Sequence, residues 1–423
     1  MEYPATISAL LDNKTELSRR AVFGQPRQQP TVTRTEIVAA TGLSKALVLA
    51  IVAELMTAGL VEETGIENRA FGRPRVLLQL VDAARLALGA EVTADECRVV
   101  LTDLRAKPLR IVQQEAVDSS LSGLVATLEQ CVSEATAGID KHLILGMGVA
   151  VPGIVHQPSG TVAHAVLVDW HDVPLGQELA GRFARKVSVF SRGNARLWGE
   201  YWYGAGKGEQ KQLDVRLSAG IGGGLVLNGH TFLRRDYAAG EFGHFTVQPN
   251  GLPCLCGNRG CLVTVASLVA LLNRIRQIMV EPAHQTSGVW SFLDGDLRRL
   301  NLPIALEAAK AGDPARLQAL NEVGRWLGVA LGSAVDLLNL DKVIVGGPLA
   351  EAGEALFGPL RQELSQRSET THLRRARIVE SGLGENAAAN GAASLMLPEL
   401  TATIKHPMAS RSPGNRAHLP ELW

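Results

Sequence analysis

Apolar residues recur at helical spacing from Thr35 to Thr41 and again from Ser44 to Ala58, with Gly42 between them, and this pattern predicts two short helices joined by a tight turn. Thr33 stands where an N-cap belongs, with Glu36 three residues later to complete a capping box, and Ser44 caps the next helix. Leu47, Ile51 and Leu55 form the stripe that this helix turns to a core, and Gly59 ends it. Two further runs, Leu60 to Thr64 and Pro74 to Leu80, are expected to pair as a hairpin with GIENRAFGRP at its tip. Residues 1–80 therefore read as a winged helix-turn-helix with its wing and linker.

From about Leu86 the pattern changes to short apolar runs, glycine turns and longer helices, the alternation of an α/β domain. Strands are expected at Leu86 to Val92, Arg98 to Leu104, Leu143 to Val151, Val187 to Phe190, Asp214 to Leu217, Gly223 to Leu227 and Lys342 to Val345, and a long helix at Ala315 to Leu338. This domain is assigned to residues 81–402. The segment 403–423 is polar and proline-containing without periodicity, and reads as a tail. No internal sequence repeat is evident.

Composition narrows the classes. The 423 residues, 46% hydrophobic, supply more than one core, and the 43 glycines against nine Phe, six Trp and four Tyr imply aliphatic cores packed over tight turns. Lys+Arg and Asp+Glu both number 42, so no global field draws the molecule to nucleic acid or an anionic membrane. The N-terminus lacks a secretory pattern and no apolar run is long enough to span a bilayer, so the expectation is a cytoplasmic protein without a membrane partner.

The sharpest chemistry lies in GEFGHFTVQPNGLPCLCGNRGCL, which holds three of the five cysteines. His244, Cys254, Cys256 and Cys261 offer a complete Cys3His ligand set for structural zinc, with Gly257 and Gly260 allowing the backbone to turn around an ion. Chance clustering or paired oxidation is the competing reading, and the odd cysteine count argues against a disulfide framework. In the first domain, Arg69, Arg73 and Arg75 lie at the wing tip, where arginines suit a narrow minor groove, while Ser44 and Lys45 supply the polar groups at the start of the presumed recognition helix. Nine basic side chains against eight acidic ones in residues 1–80 do not make a basic domain, so a dimerisation module stays open beside double-stranded DNA as the partner.

The winged helix, VPG (Val151 to Gly153), GIGGG (Gly220 to Gly224), GEFGH (Gly240 to His244), the cysteine knuckle and VGGPL (Val345 to Leu349), in this order, resemble the ROK family of repressors and sugar kinases. GLSKALV and GRPRVLLQL resemble segments of its regulator branch. The resemblance implies a two-lobed, actin/hexokinase-like (ribonuclease H-like) domain, a sugar-binding cleft, zinc beside that cleft, and a homodimer or homotetramer. It also gives His244 a ring nitrogen to present to a sugar hydroxyl, with Glu241 either a hydroxyl acceptor or a capping or surface carboxylate, and it places Arg192 and Asn194 in the ligand site.

Departures from the family pattern matter as much. Glu91 and Thr93 stand where kinases carry Asp-x-Gly, Ser218-Ala219-Gly220 replaces Gly-Thr-Gly, and Ser191-Arg192 takes the place of the sugar-binding Asn and catalytic Asp. A guanidinium stays protonated and cannot act as a general base, so no catalytic residue is expected. Val263 replaces a sugar-binding Glu. Arg192 either holds the carboxylate or phosphate of an acidic sugar derivative or forms an ion pair that keeps the cleft shut.

Overall fold

The computed structural model describes residues 7–67, 74–118, 120–157, 159–165, 168–183, 185–228, 230–232, 240–281, 290, 293, 295–367 and 376–396. The described residues divide into two compact units, one of those up to Leu86 together with Asp103–Arg105, the other of Ala87–Thr102 and those from Ala106 to Met396. The expected tail, 403–423, lies outside the described residues.

In the first unit, α1 (Ile7–Gln28) is followed by β1 (Val32–Thr33), α2 (Arg34–Thr41), α3 (Lys45–Thr57), β2 (Val61–Glu67) and β3 (Arg75–Leu80). The capping expectations hold atom by atom. The Thr33 side chain accepts from the Glu36 N–H while the Glu36 carboxylate accepts from the Thr33 N–H, and Ser44 Oγ accepts from the Leu47 N–H. Ile51 and Leu55 are buried as expected, joined by Val48 and Val52, whereas Leu47 is only half-buried. The wing strands pair antiparallel with β3 central between β1 and β2, and a bulge falls at Thr64. Helix α1, which no sequence signal had placed, packs against α2 and α3.

The second unit contains two five-stranded sheets. The first is built from β4 (Leu86–Val92), β5 (Glu96–Thr102), β6 (Pro108–Glu115), β7 (Ile144–Val151) and β11 (Val187–Ser191), in the order β11-β7-β4-β5-β6. A small sheet of β8 (Ile154–His156), β9 (Thr161–Ala165) and β10 (Trp170–Val173) follows β7. Helices α4 (Leu121–Ala135), α5 (Leu175–Phe183) and α6 (Arg192–Tyr203) connect these strands. The second large sheet holds β12 (Lys211–Leu217), β13 (Ile221–Leu227), β14 (His230–Thr231), β15 (Lys342–Gly346) and β16 (Arg377–Glu380), in the order β14-β13-β12-β15-β16. Between β14 and the chain's last strand lie α7 (Val263–Ala266), α8 (Leu268–Met279), α9 (Leu302–Lys310), α10 (Pro314–Leu338) and α11 (Glu354–Arg367), and α12 (Ala387–Met396) closes the unit.

Both large sheets run third, second, first, fourth, fifth strand, so the fold repeats where the sequence does not. In each, a hairpin of the first two strands places its turn, Thr93–Asp95 or Ser218–Gly220, at one strand end. The core of the second lobe is aliphatic, with Leu213, Val215 and Leu217 of β12 packed against α8 to α11. Helices α6 and α12 cross between the sheets at backbone distance: a Cβ on Gly391 would lie 1.6 Å from the Ala195 carbonyl oxygen, and one on Gly199 2.3 Å from that of Ala387. The strand expected to run to Leu104 stops at Thr102, where Asp103 and Leu104 begin the turn to β6.

Candidate functional site

Strand β13 carries the last three glycines of GIGGG, and its middle is covered from one side by the GEFGH turn. The Gly223 N–H donates to the Gly240 carbonyl at 3.0 Å, and a Cβ on Gly223 would meet Phe242 Cβ at 2.9 Å. Gly193 at the start of α6 lies against the Gly223 carbonyl too, 3.3 Å from where its own Cβ would be. One glycine-rich strand thus holds Arg192, Gly193 and Asn194 together with the Glu241 to His244 turn. Glu241 stands before a single 3-10 turn, Phe242–His244, rather than within a helix.

His244, Cys254, Cys256 and Cys261 converge, with all four donor atoms within 4.8 Å of one another. His244 Nδ1 lies 3.5 Å from Cys254 Sγ, and Cys256 Sγ lies 3.7 Å from Cys261 Sγ. Tetrahedral zinc with bonds of about 2.0–2.3 Å requires donor–donor edges of roughly 3.5–3.8 Å, which these two edges match. The knuckle is shaped by Gly260 at φ +65, where a Cβ would lie 1.5 Å from the Gln248 carbonyl oxygen. The Asn258 N–H, the largest influence on Cys256, lowers its thiol pKa, which favours a metal-binding thiolate. With Nδ1 turned to the cysteines, His244 Nε2 faces the Glu241 carboxylate at 3.7 Å, and both side chains are exposed.

In the Thr93–Asp95 and Ser218–Gly220 turns, the side-chain hydroxyls bond back to the turn's own backbone. The Thr93 hydroxyl accepts from the Asp95 and Glu96 N–H groups and donates to the Glu96 carbonyl, while the Thr93 N–H donates to that same carbonyl at 2.9 Å. The N–H groups of Thr93, Asp95 and Glu96 are therefore engaged within the turn. The Ser218 hydroxyl and N–H both bond to the Gly220 carbonyl, at 3.1 and 2.9 Å.

Arg192 Nη1 lies 3.8 Å from Glu91 Oε1, an ion pair longer than a hydrogen bond. Burial raises the Glu91 carboxyl above its ordinary range against the pull of Arg192 and Arg216, and burial followed by Arg216 lowers the Arg192 guanidinium. Behind this pair, Arg196 Nε donates to Asp214 Oδ1 at 2.8 Å, and Arg216 Nη2 donates to Glu385 Oε2 at 2.7 Å. Glu200, fully buried, accepts from the N–H groups of Ala205, Gly382 and Leu383 and from the Ser381 hydroxyl. This network of Glu91, Arg196, Asp214, Arg216, Glu200 and Glu385 joins residues scattered across the whole second unit, and of these only Glu91 lies in a motif that the sequence marks.

In the first unit, Ser44 and Lys45 are exposed and Arg75 is half-buried. Arg69 and Arg73 lie outside the described residues. The rest of the open face of α3 is Ala46, Leu49, Ala50, Ala53 and Thr57, so Lys45 is its single cation. Arg75 stands opposite Glu67 in the wing register.

Fold and site define a class: a two-lobed α/β protein of the actin and hexokinase type with a Cys3His cluster beside a glycine hairpin, preceded by a winged helix-turn-helix unit. The chain belongs to the ROK family, whose pattern matches residues 87–399. A putative xylose repressor of Caldicellulosiruptor sp. is 29% identical over 94% of this chain and 96% of its own length. A glucokinase of Thermotoga maritima is 32% identical over 68% of this chain and 89% of its own. The crystal structure of a ROK family transcriptional regulator, a homologue of the E. coli MLC protein, superposes with a TM-score of 0.78 over 93% of this chain and 99% of its own at 24% identity, which speaks to the fold. The full-length resemblance is thus to the repressor branch.

Proposed function

We propose that this protein is a transcriptional regulator, a repressor of carbohydrate-related genes that binds operator DNA through its first unit and a sugar-like effector in the cleft of its second, without transferring phosphate. The Arg192–Glu91 contact carries the last point. A sugar kinase needs a base for the accepting hydroxyl, and here that place is held by a guanidinium paired to a carboxylate. The closed Thr93 turn supports the same reading.

Ser44, Lys45 and Arg75, with Arg69 and Arg73, are the residues assigned to DNA, and Glu241, His244, Arg192 and Asn194 those assigned to the effector. Zinc bound by His244, Cys254, Cys256 and Cys261 would be structural, cross-linking the knuckle and fixing the His244 ring so that Nε2 faces a ligand hydroxyl. A homodimer or tetramer supplies two winged units to a site with two-fold symmetry. No described helix is long and apolar enough to cross a membrane, and action on DNA places the protein in the cytoplasm.

Incubation with ATP and a panel of neutral hexoses and pentoses should give no nucleotide turnover above background, while selected duplexes are retained in a mobility-shift assay. Sugar-dependent turnover would overturn the reading. The apolar face of α3, with Leu49 43% exposed, favours a protein-binding adaptor as the second reading. Replacing Arg73 and Arg75 together by Ala separates the two: unchanged DNA affinity would favour the adaptor.

A further inference from the structure

Three side chains on the facing hairpins carry buried polar atoms with no hydrogen-bond partner: Glu91 Oε1, Arg98 Nε and Arg216 Nη1. Unmet buried groups cost stability, so a cluster of them calls for a cause. Glu91 and Arg216 occupy the same place, next to last, in the first strands of the two lobes, β4 and β12, and Arg98 is the cross-strand partner of Glu91. Arg192 joins them from α6, whose N-cap Ser191 makes no side-chain capping bond.

The pairs here are unequal. Arg196–Asp214 and Arg216–Glu385 close at 2.8 and 2.7 Å, while Arg98 has Asn386 at 3.1 Å and Glu96 at 3.5 Å. The Arg192–Glu91 pair, at 3.8 Å, satisfies neither group, although Glu91 is only 4% exposed. Arg192 is 20% exposed and so reachable by a solute. Charged N–H groups left with a carboxylate beyond hydrogen-bond reach form a receptor for an oxyanion that can approach more closely.

We propose that Arg192, Arg216 and Arg98 bind the phosphate or carboxylate group of a small anionic effector, and that Glu91 is the internal carboxylate which this group displaces. Arg98 belongs to the first sheet, Arg216 to the second and Arg192 to the helix between them, so one oxyanion ties the two lobes together. This deepens the regulator reading by naming the effector's chemistry and the way it drives closure. An effector acts only through its different affinity for the two states, and the bridging group supplies that difference.

The test is calorimetric titration of the full, zinc-loaded chain at fixed ionic strength with inorganic phosphate, glucose 6-phosphate and glucuronate, with glucose as the neutral control. At least one oxyanion should bind. Arg192→Met should weaken it by about tenfold or more, the loss of one charge-assisted pair, and Glu91→Gln should strengthen it. Thermal melts of both variants establish that they are folded, and Arg216→Gln, at the opposite hairpin, should repeat the loss should Arg192→Met fail to fold. Phosphate and glucose 6-phosphate binding alike would indicate a site for the free anion, and preference for glucose 6-phosphate or glucuronate one for the anionic sugar; either outcome supports the site. No oxyanion binding to the unaltered chain or to Glu91→Gln, or undiminished binding to the folded arginine variants, would overturn it. Operator binding measured without ligand keeps the readings apart: retained DNA binding with no anion binding removes this inference alone, and lost DNA binding removes the regulator reading alone.

Discussion

Single residues show most clearly what a sequence can disclose. The Cys3His set was legible because its donors lie within one short stretch and their chemistry has few other uses, whereas the partners of Arg192 come from strands far apart in the chain. Cys256→Ser removes one ligand of four, and the metal content of the purified protein should fall with its melting temperature. Stoichiometric zinc and an unchanged melt in that variant would contradict the site. Asp214 gives a second forecast. Burial pushes its carboxyl up to about 6 from an ordinary 3.8, despite Arg196, so the folded state holds a proton between those values that the unfolded chain has lost. Stability from this group is therefore fully present below about pH 4 and lost as pH rises through about 6. Asp214→Asn should flatten that part of the pH profile in urea denaturation; an unaltered slope would rule the assignment out.

Elements were legible in proportion to their amphipathic contrast. Strands β4, β7 and β15 are buried along nearly every position and stood out, but β6 exposes most of its residues and buries only Val112, so it carries no strand signature. Helix α12, Ala-Ala-Ala-Asn-Gly-Ala-Ala-Ser-Leu-Met, lacks an apolar stripe because its role is close approach rather than bulk. It rests on α6 through Gly391 and Gly199 and on the first sheet through Gly89 and Gly148. Gly391→Ala would drive a methyl into the Ala195 carbonyl, and the two helices cannot separate without disturbing the network around Glu200. A loss of about 1–3 kcal/mol or more is expected from overpacking, read as a lower urea midpoint. Tolerance of alanine there would mean that the two helices do not cross at backbone contact.

At the scale of the whole molecule, duplication is what sequence reading could not find. The two sheets share one strand order, yet the residues at matching positions, Glu91 and Arg216, are opposite in charge, so similarity of fold survives without similarity of side chains. The proposed function rests on this divergence: the Thr93 and Ser218 hydroxyls bond within their own turns, and Arg192 faces Glu91. Balanced net charge means that DNA affinity must come from a few local contacts, so its salt dependence should be modest, with a slope that falls by about one for each phosphate-contacting arginine removed. Arg75→Ala should show that reduction in mobility shifts across a salt series; an unchanged slope would take Arg75 off the DNA. Operator recognition is tested by selection of bound fragments from sheared genomic DNA of the source organism, performed with the purified full chain at moderate salt. A regulator of this design should enrich a small number of sites with two-fold symmetry, their half-sites about one helical turn or a multiple of it apart. Uniform recovery of fragments, with no site enriched in the presence or absence of sugars, would contradict it.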